Sequence, residues 1–318
     1  MDKLTLLETF TIALDEGSLN RTAQRRGITQ SAVSQQIKQL EALMGQQLLH
    51  RTAKGIHATR AGDLVFSHAQ ALLSGYNRMT AEVDALEGSV SGTFRISVNS
   101  FLGRSVIGPM LLDLNREHPD LNIVMRLEDR LVHVVREGYD LAIRTGRLGD
   151  TDGFGRKIST LETVLFATPD YLDREGRPQT PEELKRLKFI QHHEDQTRGF
   201  FPLRRGGQEY PAPVQVGFTA DDPDLIMRAV SSGSGYTRAP RFMVEDQLAS
   251  GEYEQVLPGF EAPLKDVFAV YPSRRTPDRR RDLTIEHTVA RLDALLRPQA
   301  AETPAPLQSP LDLGCPIS

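Results

Sequence analysis

The 318-residue chain has one cysteine, Cys315, and it lies in a proline-rich tail. A disulfide framework or a cysteine-based zinc site within one chain is therefore excluded. Long apolar runs are missing as well: none approaches the roughly 20 residues that span a bilayer, so no membrane partner is expected. The opening stretch, Met1 to Leu14, carries Asp2 and Glu8 among its apolar positions and lacks the basic start and unbroken apolar core of a secretory signal. A cytoplasmic location is the expectation. The chain has no Gly-rich phosphate loop, no Gly-x-Ser-x-Gly nucleophile elbow and no His-Glu-x-x-His pair, so neither catalysis nor a cofactor is expected. The run His192-His193-Glu194-Asp195 offers metal-binding side chains, but neighbours in a strand point to opposite faces and rarely hold one ion, so no metal is expected there.

What is present is a charge split. Ser18 to Arg60 holds seven basic residues (Arg21, Arg25, Arg26, Lys38, Arg51, Lys54, Arg60) against one acid, Glu41. That is +6 in a chain whose net charge is -4, leaving -10 elsewhere. A basic head on an acidic body is the electrostatic footprint of a nucleic-acid-binding protein. A second basic cluster, Arg274-Arg275 and Arg279-Arg280-Arg281, sits at the start of the last predicted helix, where a solvated face is the expectation.

In the head, Leu7, Phe10, Ala13 and Leu14 repeat at helical spacing, and Gly17-Ser18 reads as a helix stop followed by an N-cap. A short second helix runs from about Leu19 to Arg26. Gly27 then turns the chain, and Thr29 caps a third helix whose apolar face is Val33, Ile37, Leu40 and Met44 and whose end is Gly45. Its other face carries Gln30, Ser31, Ser34, Gln35 and Lys38, short or amide side chains suited to base edges with one cation for phosphate. Gln47 to His50 and Ile56 to Thr59 are read as two short strands around the turn Arg51-Thr-Ala-Lys54-Gly55, a wing with cations at its tip.

From Gly62 to Glu87, Val65, Ala69, Leu72, Tyr76, Met79, Val83 and Leu86 follow a heptad spacing that predicts a helix burying a narrow stripe against a partner helix. Gly88 to Gly92 reads as a hinge. Strands and helices then alternate: Phe94, Ile96 and Val98 in a strand, Val106 to Leu114 in a helix, a strand at Leu121 to Leu127, a helix to Glu137, and a strand at Asp140 to Arg144. A second lobe is expected from Glu162, with a helix from Asp222 to Ser232, before the chain returns at Asp266 to Pro272 and ends on a helix from about Asp278 to Leu296. The tail beyond Pro298 has Pro304, Pro306, Pro310 and Pro316 and no periodicity, and is expected to be disordered.

Gly17-Ser18-Leu19, Thr22-Ala23, Thr29-Gln30-Ser31-Ala32-Val33-Ser34-Gln35-Gln36-Ile37, Leu40-Glu41, Gly45, Leu48, Arg51 and Thr59-Arg-Ala-Gly62 resemble the N-terminal signature of LysR-type transcriptional regulators. Gly138-Tyr-Asp140-Leu-Ala-Ile143 and Ser232-Gly-Ser-Gly235 with Pro240 are similar to that family's effector domain. The resemblance implies an α/β multidomain protein: a winged helix-turn-helix (1–60), a coiled-coil linker helix (61–87), a hinge (88–92) and a two-lobed periplasmic-binding-protein-like effector domain (93–297). Lobe I would hold about 93–161 and 266–297, lobe II about 162–265, with 298–318 as tail. It implies that Gln30, Ser31, Ser34, Gln35 and Lys38 face the major groove and that Arg51, Thr52, Lys54 and Thr59 lie at the wing and DNA backbone. It also implies a homodimer through the linker helix, dimers pairing into tetramers, a function compatible with contact to the transcription machinery, and double-stranded promoter DNA as partner. Arg26 departs from the family, which has an apolar residue there; its stem would snorkel or its head would add a phosphate contact.

A ligand in such a fold sits between the lobes, against helix N-termini and strand ends. The candidates are Asn99, Ser100 and Phe101 at the first strand-to-helix turn, Arg144 and Thr145 at a later strand end, Thr219 to Asp221 before the second-lobe helix, and Tyr236 with Arg238. A guanidinium at Arg238, where the family is apolar, favours a carboxylate or phosphate effector. Structural ion pairs for Arg144 and Arg238 are the competing reading. The chain is thus read as a regulator responsive to a small, anionic effector. An enzyme on the same two-lobed body with a regulatory head is the alternative, and a solute-binding protein is disfavoured by the head.

Overall fold

A computed structural model describes residues 2–52, 55–85, 90–193, 199–273 and 277–296. The head is three helices, α1 (Lys3–Glu16), α2 (Leu19–Arg26) and α3 (Gln30–Met44), followed by a hairpin of β1 (Leu49–Thr52) and β2 (Gly55–Ala58). Local chemistry sets each boundary. Gly17, Gly27 and Gly45 end the three helices in the left-handed conformation, and the Ser18 and Thr29 side chains accept from backbone amides in the first turns of α2 and α3. Leu6, Phe10, Ala13, Leu19, Ala23, Val33, Ile37, Leu40, Leu48 and Ile56 close one buried core.

The wing differs from its expected limits. Both strands shift, to Leu49–Thr52 and Gly55–Ala58, and the amides of Leu48 and Leu49 are taken by the Glu41 carboxylate at 2.9 and 3.3 Å. Lys54 falls outside the described residues. Arg26 snorkels: its Nη1 reaches Glu8 Oε2 at 2.6 Å, so it pairs within the head.

The long helix α4 (Arg60–Ala85) starts at Thr59, whose hydroxyl accepts from the Gly62 amide at 2.9 Å. The first part of the expected seam is spoken for. Val65 and Ala69 pack into the head core, while Leu72, Tyr76, Met79 and Val83 are 47–60% exposed. Leu86, and Gly88 and Ser89 of the expected hinge, lie outside the described residues.

The body begins with β3 (Gly92–Val98) and a helical run made of α5 (Ser100–Leu102), a π-turn (Gly103–Ile107) and α6 (Gly108–Glu117). Then come β4 (Leu121–Leu127), β5 (Leu141–Thr145) and β6 (Phe154–Leu161). The helix expected before Glu137 does not form. Val132 and Val134 are both buried, an i, i+2 spacing that extended chain provides and a helix does not, and the Val135 and Arg136 amides bond the Asp152 carboxylate instead of a preceding turn.

A second unit follows: β7 (Thr163–Ala167), α7 (Pro169–Glu175), β8 (Lys188–His192), β9 (Phe200–Arg205), β10 (Gln208–Pro213), β11 (Gln215–Ala220), α8 (Pro223–Ser231), β12 (Thr237–Pro240), α9 (Glu245–Ser250) and β13 (Glu254–Gln255). The chain returns as β14 (Lys265–Tyr271), which inserts between β5 and β6, and closes on α10 (Arg279–Leu296). The sheet order β4-β3-β5-β14-β6 shows the double crossing: β3, β4 and β5 are parallel, and β14 runs antiparallel to both neighbours. Phe94, Ile96, Val98, Ile107, Leu141, Ile143 and Val267 fill that sheet's core with α6 and α10.

In the Arg279-Arg280-Arg281 cluster Arg279 is exposed, as expected of a solvated face, and the other two positions are corrected. Arg280 and Arg281 are buried, both take hydrogen bonds to Asp278 through their amides, and Arg280 Nη2 pairs with Asp278 Oδ2 at 2.8 Å. Arg280 also donates to the Thr93 carbonyl and sits over the Phe94 ring, so it clamps the last helix onto β3. Arg274 and Arg275 lie outside the described residues.

Candidate nucleic-acid interface and effector cleft

On α3, Val33, Ile37 and Leu40 turn inward, and Gln30, Ser31, Gln35 and Lys38 are exposed, with Ser34 half-buried beside them. The helix period separates these two sets, so the polar face is a by-product of how the core is filled. The Arg51 Nη2 on the wing donates to Ser34 Oγ at 3.3 Å, and Ser31 Oγ lies 2.9 Å from Thr29 Oγ1. Thr52 Oγ1 donates to the Gly55 carbonyl across the hairpin. Thr59 is the exception in the set: besides capping α4, it donates to the Gln47 carbonyl at 2.8 Å, so its hydroxyl is engaged in joining wing to helix. A short polar side-chain row on an exposed helix beside a cationic hairpin can lie in a major groove with the hairpin on the backbone.

Between the two units of the body lies a cavity of about 790 Å³. Its walls include Asn99, Phe101, Arg144 and Thr145 from one side and Arg238 from the other. Four expected residues are elsewhere. The Ser100 amide bonds Asp129 Oδ1 at 2.9 Å, but Ser100 is not in the wall. Thr219 and Asp221 are exposed and are not in the wall, Thr219 being paired in β11 with Gln191 of β8. Tyr236 is fully buried inside the second unit against Phe189, with ring centroids 5.2 Å apart, and burial pushes its phenol pKa up. Tyr236 was expected among the cleft residues; the ring instead fills a core.

Sequence reasoning missed Asp129, Arg147, His192, Phe200, Phe201 and Lys265, which also line the cavity. Each sits at or near a strand end, but which ends converge depends on the order of the sheet, and no local pattern reports that. His192 Nε2 lies 3.2 Å from the Asp221 carbonyl and 3.8 Å from Asp129 Oδ2, which spans the two units.

Electrostatically the cavity is positive. Among the described residues its wall carries Arg144, Arg147, Arg238 and Lys265 against the single carboxylate of Asp129. Arg144 bonds the Ser97 and Ile143 carbonyls through Nη1 and Ser97 Oγ through Nη2 at 2.6 Å, and burial lowers its pKa. Behind it, Ser97 Oγ donates to Glu128 Oε2, which Tyr139 also serves at 2.6 Å. Burial pushes the Glu128 carboxyl up, but these two bonds and the Arg130 charge outweigh it and hold the pKa below the usual value. Arg238 lies over the Phe201 ring at 5.2 Å.

The model of the bacterial regulatory helix-turn-helix protein, lysR family, matches residues 4–63, and that of the LysR substrate binding domain matches 87–293. The chain belongs to the LysR family. It is a DNA-binding transcriptional regulator with an effector-binding domain, and not an enzyme. Among curated relatives, the HTH-type regulator LtrA of Klebsiella pneumoniae is 30% identical over 80% of this chain and 82% of its own. A transcriptional repressor of Pseudomonas aeruginosa is 28% identical over 86% of this chain and 87% of its own. The solved full-length structure of AphB, a Vibrio cholerae virulence activator of the same family, superposes with a TM-score of 0.60 at 24% identity, covering 91% of this chain and 99% of that one. That likeness supports the fold. No described helix of this LysR-family protein is long and apolar enough to cross a membrane.

Proposed function

We propose that this LysR-family regulator reads promoter DNA through Gln30, Ser31, Ser34 and Gln35, while Lys38, Arg51, Thr52 and Lys54 hold it on the sugar-phosphate backbone. Thr59 serves the wing's position. The observation that supports this reading is the Arg51 to Ser34 contact, which joins a cation of the wing to the polar face of α3. The organisation follows the division at 1–60, 61–87, 88–92 and 93–297, with 298–318 as tail, in a cytoplasmic protein. Two heads are joined through the exposed stripe on α4, and dimers pair into tetramers. The effector is a small anion held in the interlobe cavity by Arg144, Arg238 and their cationic neighbours. Its binding biases lobe closure and so the spacing or bend of the bound DNA.

The test is a gel-shift titration of a dyad-symmetric fragment from the region upstream of the chain's own gene, at several salt concentrations. Sequence-specific binding that weakens steeply with salt is expected. Binding indifferent to sequence, even at low salt, would sink the assignment of the α3 face. Arg238→Ala should abolish the response to an anionic effector; an unchanged response removes Arg238 from the site.

A further inference from the structure

The head and the body meet through a carboxylate that sits where its own helix disfavours it. α1 ends on Asp15 and Glu16 with no basic residue in its last turn, although the carbonyl end of a helix carries partial negative charge and repels acids. Glu16 is answered inside the head: Arg25 Nη1 lies 2.8 Å from its Oε1 and Arg21 Nε 3.9 Å from its Oε2. Asp15 is answered from the body, where Arg126 Nη2 on β4 lies 3.7 Å from its Oδ1. Burial pushes the Asp15 carboxyl above its ordinary value, and the charges of Arg126, Arg95 and Arg25 act against that, so two of the three cations that favour its charged form belong to the body.

Strand alternation explains why those two share a surface. In the parallel pairing of β3 with β4, Ser97 stands beside Arg126 and Arg95 beside Val124, which puts Arg95 and Arg126 on the face opposite to that from which Phe94, Ile96 and Val98 enter the core. The contact also has neighbours that matter on both sides. Asp15 is two residues from Gly17, whose carbonyl accepts from the Ile56 amide of the wing at 3.1 Å. Arg126 is three residues before Asp129, which lines the interlobe cavity. One ion pair therefore stands between the wing and the strand that leads into the cavity wall.

We propose that Asp15 and Arg126 form an interdomain latch, which holds the head on the exposed face of the β3–β4 sheet and so sets the angle at which each head meets DNA. The two side chains are 29% and 51% exposed, and a pair so hydrated is weak, so the latch biases the head's orientation without locking it. This rests on the reading above that two joined heads address two half-sites. With the angle held, the second head reaches its half-site at a higher effective concentration, whereas a single half-site engages one head and gains nothing from alignment.

The experiment is a double-mutant cycle on the full-length protein, read in gel-shift titrations as the ratio of affinity for the dyad fragment to affinity for a single half-site. Taking the ratio at one salt concentration cancels the general effect of altering a charge near DNA. Asp15→Asn and Arg126→Gln should each lower the ratio about two- to fivefold, the scale of a partly exposed ion pair. The double variant should lower it no further than either single change, because both remove the same contact. An unchanged ratio in either single variant, or losses that add in the double, overturns the latch and leaves the two-head reading standing. A wild-type protein that binds the dyad no better than the half-site overturns both.

Discussion

Arg51 Nη2 meets Ser34 Oγ at 3.3 Å, so the wing and the exposed face of α3 are one surface. The two residues should nonetheless fail differently. Arg51→Ala removes the proposed phosphate contact and is expected to weaken binding to all sequences alike, lowering the slope of log K against log salt by about 0.9. Ser34→Ala is expected to cost about 1–3 kcal/mol against the preferred base and less against others, which relaxes preference at one position. Competition shifts with specific and random duplexes separate the outcomes, and parallel losses for Ser34→Ala would exclude it from base reading.

Asp278 anchors the start of α10 through Arg280 and Arg281. Its side chain is 7% exposed and that of Arg280 3%, so removing one partner strands a charge in the interior. Asp278→Ala should cost about 3–5 kcal/mol in urea unfolding. The pH dependence has a definite sign. Burial pushes the carboxyl up, but the hydrogen bonds and charge of Arg280 outweigh it, leaving the pKa below its ordinary 3.8. A depressed folded pKa gives a contribution that is present above pH 3.8 and lost as pH falls through the lower folded value. The wild-type protein should therefore show a steeper acid loss of stability below about pH 4 than Asp278→Ala does. The same acid slope in both would show that other carboxylates dominate.

Much of this was legible before any coordinate. The three helices of the head were written in local signals, Gly17, Gly27 and Gly45 as stops and Ser18 and Thr29 as caps, and these act within a few residues. Period-two alternation at Phe94, Ile96 and Val98 reported β3 equally well. The misses are long-range. Tyr236 was expected at the cleft, but the contact that decides its place is Phe189, 47 positions earlier. Arg280 looked solvated because charge usually is, and its partner on β3, Thr93, is equally distant from any local pattern. Arg144 and Thr145 were found because they end a strand, while His192 and Lys265 end or begin strands whose convergence only the sheet order reveals.

Gly138 offers a test of how the body meets α4. Its φ is +71°, and a Cβ there would lie 2.7 Å from the Gln70 carbonyl oxygen and 3.2 Å from Ser74 Cβ. Backbone cannot yield as a flexible side chain can. Gly27, at φ +63°, has nothing within 4 Å of the same atom and serves as a control. Gly27→Ala should cost about 1 kcal/mol, the ordinary left-handed penalty. Gly138→Ala should cost clearly more, about 2–4 kcal/mol, because collision adds to the same conformational penalty. Equal costs by thermal unfolding would mean that the loop and α4 separate easily.

The exposed stripe on α4 carries the prediction with the largest functional reach. Leu72, Tyr76, Met79 and Val83 are each about half exposed or more and recur at heptad spacing, whereas Val65 and Ala69 are already buried in the head. A partner helix would cover four large side chains at once, each of which gains about 1.5–3 kcal/mol on full burial. Leu72→Glu with Val83→Glu places two charges in that seam and should convert the assembly to smaller species by analytical ultracentrifugation. Head stability should be unchanged, since neither residue belongs to the head core. The DNA consequence follows from effective concentration: a dyad site should lose about 100-fold or more in affinity, while a single half-site should lose little. An unchanged sedimentation profile would show that α4 is not where the copies join.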